Sequence, residues 1–263
     1  MEKTTRFDWI SSSLKISSWL IFLFIYLPMI VVVVYSFNGN AVNSFPIQSW
    51  STKWYSVMIQ DHALLASLRN SVLVAVIGAL IGLLLGIPAA FVVDRFRFPG
   101  KTAFERIVLL PMILPGIITG VAMMSVFVMM GVELSLLTIV IGHGTFLIAV
   151  VMTQVYARLK RMDRSIEEAS MDLGATRIKT FFYITLPNIK TAVVGATLLA
   201  FTLSFDEIAV SYFLTGRDLT LPVQIWSMLR KGITPEVNAI STLIFLFSVC
   251  MIVIVSILNR KVD

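Results

Sequence analysis

Residues 168–187 read EASMDLGATRIKTFFYITLP and stand in a basic loop, 158–187, between two long apolar runs. The chemistry of the loop orders it. Asp163, Ser165, Glu167 and Glu168 open a short helical stretch and complement the positive end of its dipole. Gly174 supplies the φ freedom that lets a helix stop and turn. From Thr176 a second short helix restarts behind a polar cap, with Ile178, Phe181, Phe182 and Ile184 as its apolar face. Pro187 suits the first turn of the next helix, where a missing N–H costs nothing. Two amphipathic pieces around a glycine hinge describe a docking surface, which a simple tether between apolar runs would not need.

The chain outside this loop is mostly apolar. Hydrophobic residues make up 57% of it and charged residues 14%, with a mean hydropathy of +0.89. Those values exclude a soluble globule and a disordered chain. Uncharged stretches occupy 16–52, 70–93, 107–132, 134–157 and 237–259, and a further run from Thr191 to Leu214 is interrupted by Asp206 and Glu207. Because a membrane helix needs about 20 apolar residues, the reading is an all-α integral membrane protein. It has one domain, 1–263, with six spans near 16–37, 67–93, 106–130, 135–157, 188–213 and 237–259.

Orientation follows from the distribution of Lys and Arg. One set of alternate loops holds Lys3, Arg6, Lys15, Arg95, Arg97, Lys101, Arg106, Arg158, Lys160, Arg161, Arg164, Arg177, Lys179, Lys190, Arg260 and Lys261. The other holds only Lys53, Arg69, Arg217, Arg230 and Lys231. Both termini and the 158–187 loop are therefore expected in the cytoplasm of a bacterial-type inner membrane. Topology accounts for the net charge of +6, and basic residues scattered over short loops do not make a nucleic-acid surface.

Other site chemistries are poorly supported. The first span is longer than a signal core and lacks a small-x-small cleavage pattern before Asn38, so it is expected to remain as a helix. Cys250 lies in the last span without an internal disulfide partner, and His62 and His143 stand apart, which leaves no metal-ligand cluster. Gly100-Lys101-Thr102 matches the end of a phosphate loop, but Arg95 occupies the place of its first glycine and an apolar helix precedes it. An ATPase, if one drives this protein, is another chain.

Glu168, Ala169, Gly174, Ile184, Leu186 and Pro187 resemble, at every spacing, the EAA loop of ABC-importer permeases; Ser170 stands where the pattern has a second Ala. Tyr35-Ser36-Phe37-Asn38, Trp54-Tyr55, the run from Arg95 to Lys101, Leu203 to Glu207 and Pro235 to Ala239 resemble the second permease of spermidine/putrescine importers, the PotC type. The acidic pair is Asp-Glu here, where the best-known polyamine members have Asp-Asp. The resemblance implies a type I ABC-importer permease architecture. It also implies a homologous second permease, two ATP-binding cassette subunits that hold ATP and Mg, and an extracytoplasmic solute-binding protein; this chain would carry no cofactor. Glu168, Ala169, Ser170, Gly174, Arg177, Leu186 and Pro187 would then form the coupling surface.

Asp206 lies fifteen residues beyond Thr191, about 22 Å at the helical rise, which places it toward the outer half of the bilayer. Ionisable groups at membrane depth usually face a bundle interior or a water path. Asp206 and Glu207 could attract a small cationic amine, with Tyr212, Phe213 and Trp226 as cation–π faces. On a continuous helix the two carboxylates would diverge by about 100°. A structural reading stands beside this one, in which either acid caps a helix end or pairs with an Arg of the partner permease. His143 reads as hydrogen-bonded within the bundle or as a proton carrier.

Gly78, Gly82 and Gly86 mark a close helix contact, and Pro111 with Pro115 a kink in the third span. Trp50 to Met58 and Leu221 to Leu229 read as interfacial pieces. Alternatives in transport are an importer for another amine or amino-acid derivative and a proton-coupled carrier, which would usually show internal repeats. An intramembrane enzyme lacks a nucleophile and base pair.

Overall fold

Long uncharged runs leave the backbone no partner but itself, and in the computed structural model they are helical. The structure describes residues 5–232 and 234–259, with side chains for Trp9, 11–232 and 234–250. Lys3, Arg260 and Lys261, used above for orientation, lie outside the described residues, as does the side chain of Arg6. The helices are α1 (Thr5–Tyr35), α2 (Lys53–Gln60), α3 (His62–Arg95), α4 (Lys101–Ile113), α5 (Gly116–Met129), α6 (Leu136–Leu159), α7 (Ser165–Asp172), α8 (Arg177–Thr180), α9 (Leu186–Phe205), α10 (Ala209–Leu214), α11 (Leu221–Lys231) and α12 (Pro235–Asn259). Among the described residues the only β pairing is an isolated antiparallel bridge between Asn38 and Trp50.

Four segments, Ser11–Tyr35, His62–Arg95, Leu136–Leu159 and Arg177–Phe205, are long and apolar enough to cross a membrane. Taken together, α4 and α5 are apolar enough to form a fifth, broken span, and the described apolar stretch Pro235–Cys250 of α12 falls below that length. The expected span 106–130 is two helices bent by 104°. Leu114, forced into an extended conformation (φ −71°, ψ 141°) by the following proline, makes the break.

The expected span 188–213 differs at both ends. It begins earlier, because α8 runs through a π-helical turn, Phe181–Thr185, directly into α9, so the second short helix of the loop is the foot of a span. Pro187 cannot donate to the carbonyl of Tyr183, and a widened turn absorbs that lost bond. The span also breaks early, since α9 ends at Phe205 and α10 starts at Ala209.

The chain divides into two units, residues 1–65 with 225–263 and residues 66–224. In the first, α1 buries none of its membrane window, and Trp19 and Phe24 are 76% and 80% exposed, a surface suited to lipid. Beyond α1, Ser36 and Asn38 are fully buried: Ser36 Oγ lies 2.7 Å from Tyr55 Oη, and Trp54 Nε1 donates to the Asn38 carbonyl at 2.7 Å. Two sequence motifs separated by a loop thereby close on each other.

In the second unit α3, α6 and α9 pack through Ala79, Ala90, Val93, Leu147, Val151, Val155, Ile189, Ala196 and Ala200. Lipid tails are as apolar as these side chains, so close van der Waals contact must hold the helices. The glycine stripe permits it: a Cβ on Gly82 would lie 3.1 Å from the Leu147 carbonyl oxygen, and one on Gly86 2.8 Å from that of Ile148.

Candidate functional site

The 158–187 loop folds as a helix, a glycine turn and a second helix. Asp163 Oδ1 accepts the Ser165 N–H at 3.0 Å, and this bond holds the Asp163 carboxyl below its ordinary range. At its other end α7 closes through paired bonds, Gly174 N–H to the Met171 carbonyl at 2.9 Å and Ala175 N–H to that of Ser170 at 3.1 Å. Gly174 has φ +88°, and open space surrounds its Cβ position, so backbone conformation alone demands glycine there. Thr176 Oγ1 then accepts the Lys179 N–H at 3.3 Å.

The two consecutive glutamates part company. Glu168 is exposed, whereas Glu167 is 7% exposed. Arg95 Nε sits 2.8 Å from Glu167 Oε2, Arg95 Nη2 donates to Oε1 at 3.2 Å, and Thr185 Oγ1 donates to Oε1 at 2.7 Å. Arg95 is also paired with Asp94, and Arg164 Nη2 donates to the Asp94 carbonyl at 3.1 Å. One carboxylate therefore ties α7 to the C-terminal end of α3 and to the foot of α9. A cavity of about 290 Å³ opens beside it, lined by Phe91, Arg95, Arg164, Glu167, Arg177 and Phe181, among others.

The other residues of the expected coupling surface lie around this tie. Ala169 is exposed, and Leu173 and Ile178 beside the turn are 90% and 72% exposed. The Arg177 guanidinium lies 5.8 Å from the Phe96 ring centre. Ser170, the departure from the EAA pattern, is 3.2 Å from Thr180 Oγ1 and links α7 to α8. Leu186 packs on the core, and Pro187 is exposed. The expected apolar face splits, with Phe181 edge-on to Phe91 at 5.2 Å while Ile178 and Phe182 point outward.

At the far end of α9 the two acids differ again. Asp206 is exposed and ends α9, while half-buried Glu207 lies in the break, its Oε1 accepting the Val210 N–H at 2.8 Å. Glu207 thus caps α10, and the 100° divergence expected on one helix does not apply because the helix has ended. Gly116 and Gly120 of α5 let α10 approach: Cβ atoms there would lie 3.1 Å from Ala209 Cβ and 3.2 Å from the Ala209 carbonyl oxygen. Phe213 stands edge-on to Tyr212 at 5.4 Å, and Tyr212 is 42% exposed. Trp226 belongs to the other unit, and the Arg230 guanidinium lies 5.9 Å from its ring centre. Among the described residues no cluster of three His, Cys, Asp or Glu could hold a metal ion.

Sequence reasoning missed Asp94, Arg95, Arg164 and Thr185 as site residues. The available signal was the charged pair Asp94-Arg95 ending an uncharged run, and it reads equally well as a topology marker.

Residues 78–263, which contain the 158–187 loop and the acidic elbow, match the family described as "Binding-protein-dependent transport system inner membrane component". The chain belongs to this permease family. Over 231 residues it is 40% identical to the putrescine transport system permease protein PotI of Escherichia coli K12, covering 85% of this chain and 82% of that one. It is 34% identical over 241 residues to the spermidine/putrescine transport system permease protein PotC of the same organism, 91% of each chain being covered. These similarities make it an ABC-importer permease of the PotC type. A chain of a bacterial ABC transporter involved in the import of the acidic polysaccharide alginate shares its fold, with a TM-score of 0.72 at 18% identity over 99% of both chains. The type I importer architecture implied by the resemblance is therefore the observed fold, and family membership makes the chain a multi-pass inner-membrane component.

Proposed function

We propose that this chain is one of two homologous permeases in an ATP-driven importer of putrescine or spermidine. An extracytoplasmic solute-binding protein delivers the amine, and two ATP-binding cassette subunits dock on the 158–187 loop. The observation that carries the reading is the identity to permeases named for these two amines over more than four-fifths of the chain. ATP and Mg are held by the docked subunits and supply the driving free energy; the charge count supports a cytoplasmic loop and cytoplasmic termini.

In this mechanism Glu168, Ala169 and the outward side of α7 meet the ATPase, and Gly174 with Arg177 shapes the turn. Movement of α7 passes through Glu167 to Arg95 on α3 and through Thr185 to α9. Helix α9 has 20 residues. It carries that movement about 30 Å toward the elbow at Asp206. There the C-terminal end of α9 bears partial negative charge, and Asp206 adds a full one, which suits a di- or tricationic amine. Glu207 is occupied as a helix cap, so Asp206 is the acid available to the substrate.

The test is uptake of labelled putrescine and spermidine by proteoliposomes holding the assembled importer, for wild type and Asp206→Asn. Loss of a charged contact predicts a fall of about ten- to a hundredfold in uptake with assembly intact. Uptake confined to an uncharged or anionic solute would end the polyamine reading and leave the importer standing.

A further inference from the structure

His143 is fully buried about two turns into α6, and both ring nitrogens are in use. Nδ1 lies 2.7 Å from Ser204 Oγ, and Nε2 lies 2.9 Å from Ser211 Oγ. Ser204 is in the last turn of α9 and Ser211 in the first turn of α10, so the two hydroxyls straddle the break that contains Asp206 and Glu207. A neutral imidazole offers one donor and one acceptor, and a serine hydroxyl serves either role, so both bonds form without a charge on the ring.

The surroundings of the ring hold this geometry. A Cβ on Gly142 would fall 2.5 Å from Leu214 Cδ1 and 3.0 Å from Val210 Cγ1, so the glycine leaves room for these two side chains of α10 where they stand. On the other flank, a Cβ on Gly144 would lie 3.0 Å from Ile81 Cγ2 of α3. Thr138 Oγ1, one turn before His143, donates to the Leu214 carbonyl at 2.8 Å. Helix α6 therefore grips α10 at both ends, and the grip nearer the acids is the imidazole.

We propose that His143 is a positioning residue of the transport path, fixing the angle between α9 and α10 and hence the place of the Asp206 and Glu207 carboxylates. The proposal rests on the reading of Asp206 as a substrate contact. His143 itself touches no substrate; it acts through the two serines. When α9 is displaced from its cytoplasmic foot, the imidazole makes α10 follow instead of letting the break fold up.

The test uses the assembled importer in proteoliposomes with two readouts. One is amine uptake; the other is the rate at which an external methanethiosulfonate reagent modifies the thiol of Asp206→Cys in a Cys250→Ser background. His143→Phe keeps a planar ring, somewhat larger than imidazole, and deletes both bonds. It should lower uptake about tenfold, as expected for loss of a hydrogen-bonded tie, and change the modification rate at position 206 several-fold. His143→Gln, which keeps a donor and an acceptor, should recover most of both. Wild-type uptake and an unchanged modification rate in His143→Phe would overturn the proposal. If that variant fails to assemble, Ser211→Ala removes a single bond with little volume change, and the same modification rate decides. Normal uptake by Asp206→Asn would end the substrate-contact reading, while the modification rate would still report whether His143 sets the elbow.

Discussion

Glu167→Ala removes the carboxylate that joins α7 to α3 and to the foot of α9. Three contacts go with it, at 2.8 and 3.2 Å to Arg95 and 2.7 Å from Thr185. Two unit charges with centres about 4 Å apart attract by about 4 kcal/mol at the effective dielectric near a protein surface. Desolvation offsets part of this attraction, and Arg95 keeps Asp94 as a partner. The loss therefore falls at the low end of the range for breaking a buried pair, about 3 kcal/mol. At about 1.4 kcal/mol per tenfold, the ratio of attached to detached α7 drops more than a hundredfold. The assay is ATP hydrolysis and amine uptake measured on the same proteoliposomes, with and without loaded binding protein. Assembly should persist, because Glu168 and the outward side of α7 are untouched. Stimulation by the binding protein, and solute moved per ATP, should each fall by about tenfold or more, with Glu167→Gln between this variant and wild type. Glu168→Ala is the contrast: it should weaken ATPase docking and leave α7 attached. Full stimulation in Glu167→Ala would refute the idea that this carboxylate carries the movement.

Gly174→Ala places a side chain at φ +88° with no steric contact, so the turn should lose about 1–2 kcal/mol from backbone strain alone, read as faster proteolysis of the 158–187 loop. Ser170→Ala restores the usual residue of the EAA pattern and removes the bond to Thr180; it should cost less than about 1 kcal/mol and leave uptake within about twofold of wild type. Gly86→Leu drives a side chain into the Ile148 carbonyl and Val151, at 2.8 and 2.9 Å from the Cβ alone. It should separate α3 from α6 and cost about 3 kcal/mol or more, seen as loss of folded protein in thermal melts of the purified complex.

Features that act through their own backbone were legible in the sequence. Gly174 announces a turn, Pro115 a break and the glycine stripe of α3 a close contact, because each residue type has few other reasons to occupy its position. The split between Glu167 and Glu168 was not legible, since neighbours on a helix point about 100° apart and only the packed structure says which one faces inward. The partner of Glu167 lies 72 residues away in sequence, and those of His143 lie 61 and 68 residues away. The break after Phe205 has no proline or glycine at Asp206, Glu207 or Ile208, so the run to Leu214 reads as continuous. Here the Ser-Phe-Asp-Glu sequence carries the signal, and Glu207 accepting the Val210 N–H is in keeping with the reading in which one acid caps a helix end.

The placement of polar ties along α9 bears on how movement could travel. Its buried positions are Ile189, Ala196, Ala200 and Ser204, a stripe that becomes small-residued toward the elbow. Small side chains let the backbones of α6 and α9 approach closely along this stretch, with no directional polar contact at Ala196 or Ala200. Directional contacts sit at the ends: the Thr185 hydroxyl on Glu167 just before α9 begins, and the Ser204 hydroxyl on His143 in its last turn. Through backbone hydrogen bonds alone a helix is stiff along its axis. Held by these bonds at its two ends, α9 is the element that, in the proposed importer, would carry a displacement of the 158–187 loop to the elbow at Asp206.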